Sequence, residues 1–529
     1  MDEPAPPQHI TKRTVVSSFI FKLADGGPKV ALFRRSARVR TYQHHLAPIS
    51  GSVDKEDASP LAAAWRELKE ETTLTQSSLA LVRQGKSYSF VDSDVGREWT
   101  IFPFMFRLKT AEEGGAGEQG IQIDWEHESW AWYDPFQVED SEAFGGVPRL
   151  AQSLRRVFFE LDIGAAAGEV LSAGLERLQH DYQSGARQLA GIALQLFRDV
   201  VKKVELGDSS VGWWASIRSV VWHIWKNGRE SMGAAIMVAM LSVLQQVDRR
   251  RESLSALPHD TQWKEAVLED LDGIIAQRGA EAAGRVSAAF AEYLEEAFSG
   301  KRASGQPLAV LTLSESSTIA LGIRHLLTVS GFSLDLRVLE SRPLFEGVTF
   351  TASLVEEIAA TDAASRLSVT LYADAAAGLA AQGVDVVVVG ADRVAQSGAV
   401  SNKTGSLPAI LCARQAATLG GGAIKVVVLT ETEKVAPPGN AAQHVIEEND
   451  PEQLVQTWRG QECGERVRRA AASVWRHKAL ASARNVSFEW CPADQIDIYI
   501  TEHGPWTAED VGRRSALVGE EQERLFGDL

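Results

Sequence analysis

Residues 384–389 read Val-Asp-Val-Val-Val-Val and run directly into Gly390-Ala391-Asp392. A nearly unbroken β-branched run of this kind suits a strand covered on both faces, and it delivers a carboxylate to the strand's carboxyl end. Around it, residues 308–504 alternate short β-rich runs, at 308–313, 334–339, 368–372, 424–429 and 496–501, with helical stretches. That alternation predicts a parallel sheet with helices on both faces. Open sheets of this class bind ligands in the crevice outside the carboxyl ends of their strands.

Other expected strand ends carry complementary groups. Ser314-Glu315-Ser316-Ser317-Thr318 follows the first strand and opens a helix, where backbone N–H groups and hydroxyls can receive a phosphate. Glu340-Ser341-Arg342-Pro343 follows the second and supplies a forked guanidinium. Asp374 ends the third, and Gly398 and Asn402-Lys403-Thr404-Gly405 come after Asp392. Singly these are bland, since Ser/Thr runs usually cap helices and Arg before Pro is usually a surface residue. Their convergence on one sheet edge is what carries weight.

Glu340-Ser-Arg-Pro, Gly390-Ala-Asp-Arg and Gly398 followed by Asn402-Lys-Thr-Gly together resemble the initiation-factor-2B family. That family includes regulatory subunits of the translational exchange factor and sugar-phosphate isomerases. The similarity spans roughly 164–504, because residues 218–232, around Trp225-Lys-Asn-Gly-Arg229, look like the family's N-terminal helices. The resemblance implies a Rossmann-like domain that binds a sugar phosphate or nucleotide through Arg342, Asp374, Asn402 and Lys403, and a homodimer through that module. It also implies contact with a translation factor as a possible partnership. The isomerase members pair a catalytic Cys with the Asp of Gly-Ala-Asp. Asp392 matches that Asp, whereas the Cys position matches Ser314 or a neighbour in the same turn, and Ser397 stands where the family has Asn before Gly398. An unassisted hydroxyl does not exchange protons near neutrality as a thiol does, and no His lies beside Ser314.

Towards the N-terminus, Ser59 and Pro60 mark a helix start, and Leu61, Ala64, Trp65 and Leu68 form its apolar stripe. Glu67, Glu70 and Glu71 lie off that stripe on one face, a concentration of oxygen donors suited to hard divalent cations. Most acidic helix faces are simply solvated. Here Gly51 precedes the helix, Arg66 adjoins the first glutamate, and strand-like runs at 14–21, 30–33 and 99–106 flank it.

Gly51, Arg66, Glu67, Leu68, Glu70, Glu71 and Leu74 resemble the box of Nudix hydrolases, Gly-x5-Glu-x7-Arg-Glu-U-x-Glu-Glu-x-Gly-U, with U aliphatic. Two departures stand out: the spacing from Gly51 to Arg66 is one residue too long, and Thr73 occupies the second Gly position, which matters if that site needs positive φ. The acid that holds the Arg is Asp57 counted from Gly51, with Glu56 beside it, whereas counting back from Arg66 reaches Ala58. The resemblance implies an α/β/α sandwich in which Glu67, Glu70 and Glu71 hold Mg²⁺ or Mn²⁺, with Arg66, Glu67 and Glu70 in the catalytic machinery. The metal would activate water and neutralise a diphosphate. Residues 121–133 alternate well enough for a closing strand. Glu126, His127 or Glu128 there is a candidate for water activation, against the blander reading of a polar edge with packed Trp125, Trp130 and Trp132. Residues 110–119 read as a flexible loop.

The 529 residues, 45% hydrophobic and 23% charged, suit a soluble protein of several domains. A formal charge of −16 argues against a general nucleic-acid binder. Cys412, Cys463 and Cys491 form no metal or redox motif, so a reducing compartment is expected. Met1–Gln8 lacks a basic-then-apolar signal, and the apolar stretch 234–244 is too short to span a bilayer, which makes the cytoplasm the default and a membrane partner unexpected. Residues 168–178, 187–206, 211–225, 232–244, 261–278 and 281–298 have helical patterning and read as a scaffold without reactive motifs.

The expected architecture is therefore multidomain α/β: a Nudix-like sandwich at 9–148, a helical domain at 164–300, a Rossmann-like parallel sheet domain at 303–510 and a charged tail at 511–529. The expected function is metal-dependent hydrolysis of a nucleoside diphosphate derivative, coupled to a module binding a small sugar phosphate or nucleotide. The competing expectation is a catalytically inactive regulatory scaffold or a sugar-phosphate isomerase.

Overall fold

The computed structural model describes residues 10–24, 27–182, 184–205, 212–255, 260–277, 280–439, 444, 447–461, 463–477 and 480–529. Met1–Gln8, residue 9 and the expected helix ends Leu206, Val211 and Arg278 lie outside the described residues.

The first module is organised by the strand Thr11–Ala24, which pairs in parallel with Arg97–Leu108. On its other side it pairs antiparallel first with Ile49–Ser52 and then with Gly27–Arg35, so the sheet parts between those two neighbours. Side chains alternate as strand geometry requires. Val16 and Ile20 enter the core beneath the helix Pro60–Thr72, with Ala63, Ala64 and Leu68, while Phe19 and Phe21 enter a second core with Leu150, Leu154 and Phe158. The result is the expected α/β/α sandwich. The expected closing strand is shorter than 121–133: only His127–Tyr133 joins the sheet, antiparallel to Gly27–Arg35. Before it, Gln122 and Asp124 donate their N–H groups to Thr72 O and Glu71 O, tying that segment to the end of the helix.

The helices Ala165–His180, Ala186–Lys203, Trp213–Asn227, Gly233–Ser255 and Asp260–Gln277 share one core containing Leu171, Phe197, Ile224, Met240 and Leu271. Gly233–Ser255 is longer than its apolar stretch suggested. By length and composition alone Glu230–Arg251 reaches that of a membrane span, but 72% of that window is buried inside the protein, as in a core helix. Two assignments change. Ala280–Ala297 leaves the helical domain, because Val286, Phe290 and Leu294 pack with Ile319, Ile323 and Leu336 against the C-terminal sheet. The stretch read as a charged tail is the helix Ala508–Phe526, opened by a Thr507–Asp510 capping box, and its Val518, Leu525 and Phe526 close the helical core. Its charges face outward and hid that stripe.

The C-terminal sheet runs in the order Leu367–Tyr372, Leu334–Leu339, Leu308–Leu313, Val386–Val389, Lys425–Leu429, Ile498–Thr501, Gly504–Trp506. All but the last are parallel. Val386 and Val388 enter one core and Val387 and Val389 the other, as the double-sided burial of that run requires. The strand order reverses between Leu308–Leu313 and Val386–Val389, so Ser314 and Asp392 flank the switch point.

The first module docks on the helical one through its edge strand Leu79–Gln84. Asn227 Oδ1 accepts from Gln84 N at 2.8 Å, and Asn227 Nδ2 donates to Gln84 O at 2.9 Å and to His223 Nδ1 at 2.8 Å. Asn227 thereby covers backbone groups that an open edge would leave exposed. Burial lowers the pKa of His223 to about 3, which keeps it neutral. Beside it, buried Arg83 donates to Val157 O and Ser172 Oγ, pairs with Glu160 at 3.5 Å, and lies 3.9 Å from the Phe159 ring centroid.

Candidate active site

The extra residue of the box is absorbed before the helix. Asp54 and Asp57 close a tight turn, with Asp54 N donating to Asp57 Oδ2 at 2.9 Å, and Ser59 then caps the helix by accepting from Ala62 N at 3.2 Å. The register from Arg66 onward is undisturbed. Arg66 selects Asp57 as its partner, through Nε to Oδ1 at 3.2 Å and Nη2 to Oδ2 at 2.9 Å, and Nη2 also donates to Ser52 O at 2.9 Å. Nη1 faces Glu67 Oε1 at 2.7 Å and Glu70 Oε2 at 3.3 Å. These bonds, led by the one to Asp57, raise the Arg66 pKa, so this guanidinium is a fixed positive charge. Thr73 sits at φ 62°, the left-handed conformation that favours the glycine of the family box.

Gly51 is needed for close approach. A Cβ built on it would lie 1.9 Å from Glu67 Cδ, so the absence of a side chain is what lets this carboxylate lie against the strand. Glu67 hydrogen-bonds to Glu71, whose Oε2 meets His127 Nε2 at 2.6 Å with both groups buried. Burial, followed by repulsion from Glu67 and Glu126, pushes the Glu71 pKa well above the carboxylate range. Burial also raises Glu67 against the opposing pull of Arg66, and raises Glu126 with help from neighbouring Asp124. Burial lowers His127 to about 4 and also lowers Arg35. Glu70 is 58% exposed at its side chain.

Glu67, Glu126 and Arg35 line one cleft of ≈450 Å³ where the sheet parts. Of the three candidates on the closing segment, Glu126 therefore reaches the cleft, His127 backs Glu71, and Glu128 pairs at 2.8 Å with His44 on the surface. Among the described residues, no three His, Cys, Asp or Glu side chains converge as a closed metal cage. Arg66 draws Glu67 and Glu70 to itself, which accounts for their spread. The donor chemistry still fits a magnesium-like ion, which takes one or two carboxylates, several waters and substrate phosphate rather than an all-protein cage. A cation would also relieve the repulsion that Glu67 and Glu126 exert on buried Glu71.

At the switch point of the second module, Ser314 has φ 64° and its N–H donates to Ser341 Oγ at 2.8 Å. Asp374, a candidate ligand group, spends both oxygens on the turn: Oδ1 accepts from Ser341 N and Oδ2 from Arg342 N, each at 2.8 Å. Arg342 pairs with Glu340 at 2.8 Å and Lys403 with Glu346 at 2.7 Å. Asn402 Nδ2 donates to Ser406 Oγ at 2.8 Å, with its Oδ1 and Ser316 Oγ both beside Gly390. Burial raises the pKa of Asp392 against the opposing pull of Lys434, Lys403 and Arg229. Ser314 Oγ makes no hydrogen bond to Asp392 among the described residues. Two further pairs reach this region from the helical module, Arg187 with Glu431 and Arg229 with Glu447.

Residues 183–508 match the Initiation factor 2 subunit family. The chain belongs to that family. Residues 13–157 match the NUDIX domain, which supports a hydrolase. Among curated proteins, methylthioribose-1-phosphate isomerase of Ricinus communis is 32% identical over 216 residues, covering 39% of this chain and 50% of that protein. Ribose 1,5-bisphosphate isomerase of Archaeoglobus fulgidus is 28% identical over 214 residues, covering 40% and 59%. The chain thus spans about half the length of the curated relatives it matches. Among solved structures, the Pyrococcus horikoshii translation initiation factor eIF-2B is 19% identical with a TM-score of 0.42, covering 64% of this chain and 96% of that one.

Proposed function

We propose that the NUDIX domain hydrolyses a phosphoanhydride bond in a nucleoside diphosphate derivative with the help of Mg²⁺ or Mn²⁺, and that the second module binds a phosphorylated sugar. The observation that carries the reading is the Glu67 carboxylate, admitted to the cleft by Gly51 and locked beside Arg66, with Glu71 and Glu126 around it. Glu67, Glu70 and Glu71 would hold the metal, which supplies a water of lowered pKa and charge neutralisation at the diphosphate. Arg66, held by Asp57, fixes the orientation of Glu67 and Glu70. Glu126, with its pKa raised by burial, stands in the same cleft as the candidate to take a proton from the attacking water.

Purified protein assayed with Mg²⁺ or Mn²⁺ against ADP-ribose, NADH, dinucleoside polyphosphates and nucleoside triphosphates, beside Glu70→Gln, tests this. Metal-dependent turnover lost in the variant is expected. Inertness across the panel would turn the reading towards a dimeric regulatory scaffold in contact with a translation factor. One observation favours that second reading for the sheet domain: Arg342, Lys403, Arg187 and Arg229 are each already neutralised by a glutamate. Ser314 in place of a thiol weighs against isomerase turnover.

A further inference from the structure

The floor of the NUDIX cleft is a row of side chains set by strand register. Thr11–Ala24 pairs in parallel with Arg97–Leu108, and Tyr88–Asp92 pairs antiparallel with the same strand, which aligns Arg13, Trp99 and Phe90 in one rank and Val15, Ile101 and Tyr88 in the next. All six side chains line the cleft. Arg97 lies two residues before Trp99 on the same face, with its guanidinium 5.1 Å from the Trp99 ring centroid. Arg13 and Arg97 also line an adjoining hollow of ≈510 Å³, with Ser93, Asp94 and Gly96, so they form the sill between the two spaces. Neither makes an ion pair among the described residues; the nearby pair is Lys12 with Glu98, whose positions alternate to the other face. In a chain with a formal charge of −16, two guanidiniums that make no ion pair among the described residues, although Asp94 lines the hollow they share, call for an anion from outside.

Register also sets the distance from the acids. Gly51, against which Glu67 lies, pairs with Val16. Arg13 is three residues along that strand and the Arg97 position, opposite Thr11, five, which at about 3.3 Å per residue puts them roughly 10 and 16 Å from the carboxylates. A nucleoside attached to a diphosphate covers that range. Its base can lie on Trp99 and Phe90, leaving the ribose edge beside the two arginines, whose forked donors suit a phosphate monoester.

We propose that the NUDIX cleft selects a nucleoside diphosphate derivative whose ribose carries a further phosphate monoester, recognised by Arg13 and Arg97. This deepens, and for turnover rests on, the hydrolase reading above. Binding can be read without turnover. Titration calorimetry of the full chain with 2′,5′-ADP, 3′,5′-ADP and 5′-AMP should give at least tenfold tighter binding for one of the bisphosphates, and that preference should fall below threefold in Arg13→Gln and Arg97→Gln. Thermal unfolding of both variants checks that they fold, as expected for side chains on the open face of a sheet. In parallel, kcat/KM for NADPH against NADH, and for coenzyme A against dephospho-coenzyme A, should favour the member carrying the extra phosphate, and the variants should lose more on that member than on its partner. A bisphosphate preference without turnover of any of the four, or of the panel above, would uphold the subsite and sink the hydrolase reading. Equal binding of all three nucleotides, or a preference that survives both substitutions, would overturn the subsite.

Discussion

Gly51→Ala separates the site from the fold more sharply than any other single change. The added Cβ would fall 1.9 Å from Glu67 Cδ and 2.0 and 2.4 Å from its carboxylate oxygens. Unbonded carbon atoms rest at about 3.5–4.0 Å, so the carboxylate must retreat by at least about 1.5 Å. The obstructing atoms are the end of a flexible side chain, and Gly51 lies in a strand without positive φ, where alanine costs nothing in backbone terms. Fold stability should therefore change by less than about 1 kcal/mol, the usual scale of a Gly-to-Ala exchange. The site should not be so tolerant, because the retreat breaks the 2.7 Å bond from Arg66 and the contact with Glu71. Misplacement of a catalytic group by about 1 Å costs on the order of 10²-fold in rate. Steady-state hydrolysis of the best substrate, read beside calorimetric unfolding, should show kcat reduced about a hundredfold at nearly constant Tm. Retention of kcat within about threefold, well short of that loss, would refute the claim that the glycine exists to seat Glu67.

Thr73→Gly removes left-handed strain of about 1–2 kcal/mol at the loss of one exposed hydrogen bond to Gly120 O, so urea unfolding should show stability unchanged or raised by up to about 1 kcal/mol. Arg83→Met strands Glu160 in the interface between modules, and chemical denaturation should register a loss of about 3 kcal/mol or more, partly recovered by adding Glu160→Gln. His223, with its pKa depressed from 6.5 to about 3, binds a proton more readily unfolded than folded, so the stability it lends is complete above pH 6.5 and drains away as pH falls towards 3. At pH 5 that amounts to about 2 kcal/mol, and buried His127 acts in the same direction, so Tm measured between pH 7 and 5 should fall; a Tm rising with acidity would contradict it.

Much of this architecture was legible where local patterning and tertiary packing agree. The Val384–Val389 run suited a doubly covered strand, which forms over Val386–Val389, and Ser59-Pro60 set the start of the box helix to the residue. What escaped detection depends on partners distant in sequence. The helix Ala508–Phe526 hid five buried side chains among many charges, and Ala280–Ala297 reads as a bundle helix until the sheet that covers it is in view. The acid serving Arg66 was open between two counts because an insertion before a helix cap leaves no periodic trace; the turn closed by Asp57 decides it. In the second module the motif residues reach the expected edge, but the pairing of Lys403 with Glu346, and of the helical module's Arg187 and Arg229 with Glu431 and Glu447, joins loops and helices up to 244 residues apart. The cleft floor had a faint signal in the alternation of Arg13, Val15 and Ser17, yet the rank with Trp99 and Phe90 exists only through register.

The most direct test of the central claim is the rate of Mg²⁺-dependent nucleoside monophosphate release by Glu67→Gln relative to the parent, with substrate saturating and folding verified. The account requires a fall of about a hundredfold or more, the scale for losing a positioned acid–base or metal-holding group. Equal rates in the two proteins would mean that the carboxylate seated against Gly51 is not where the chemistry happens.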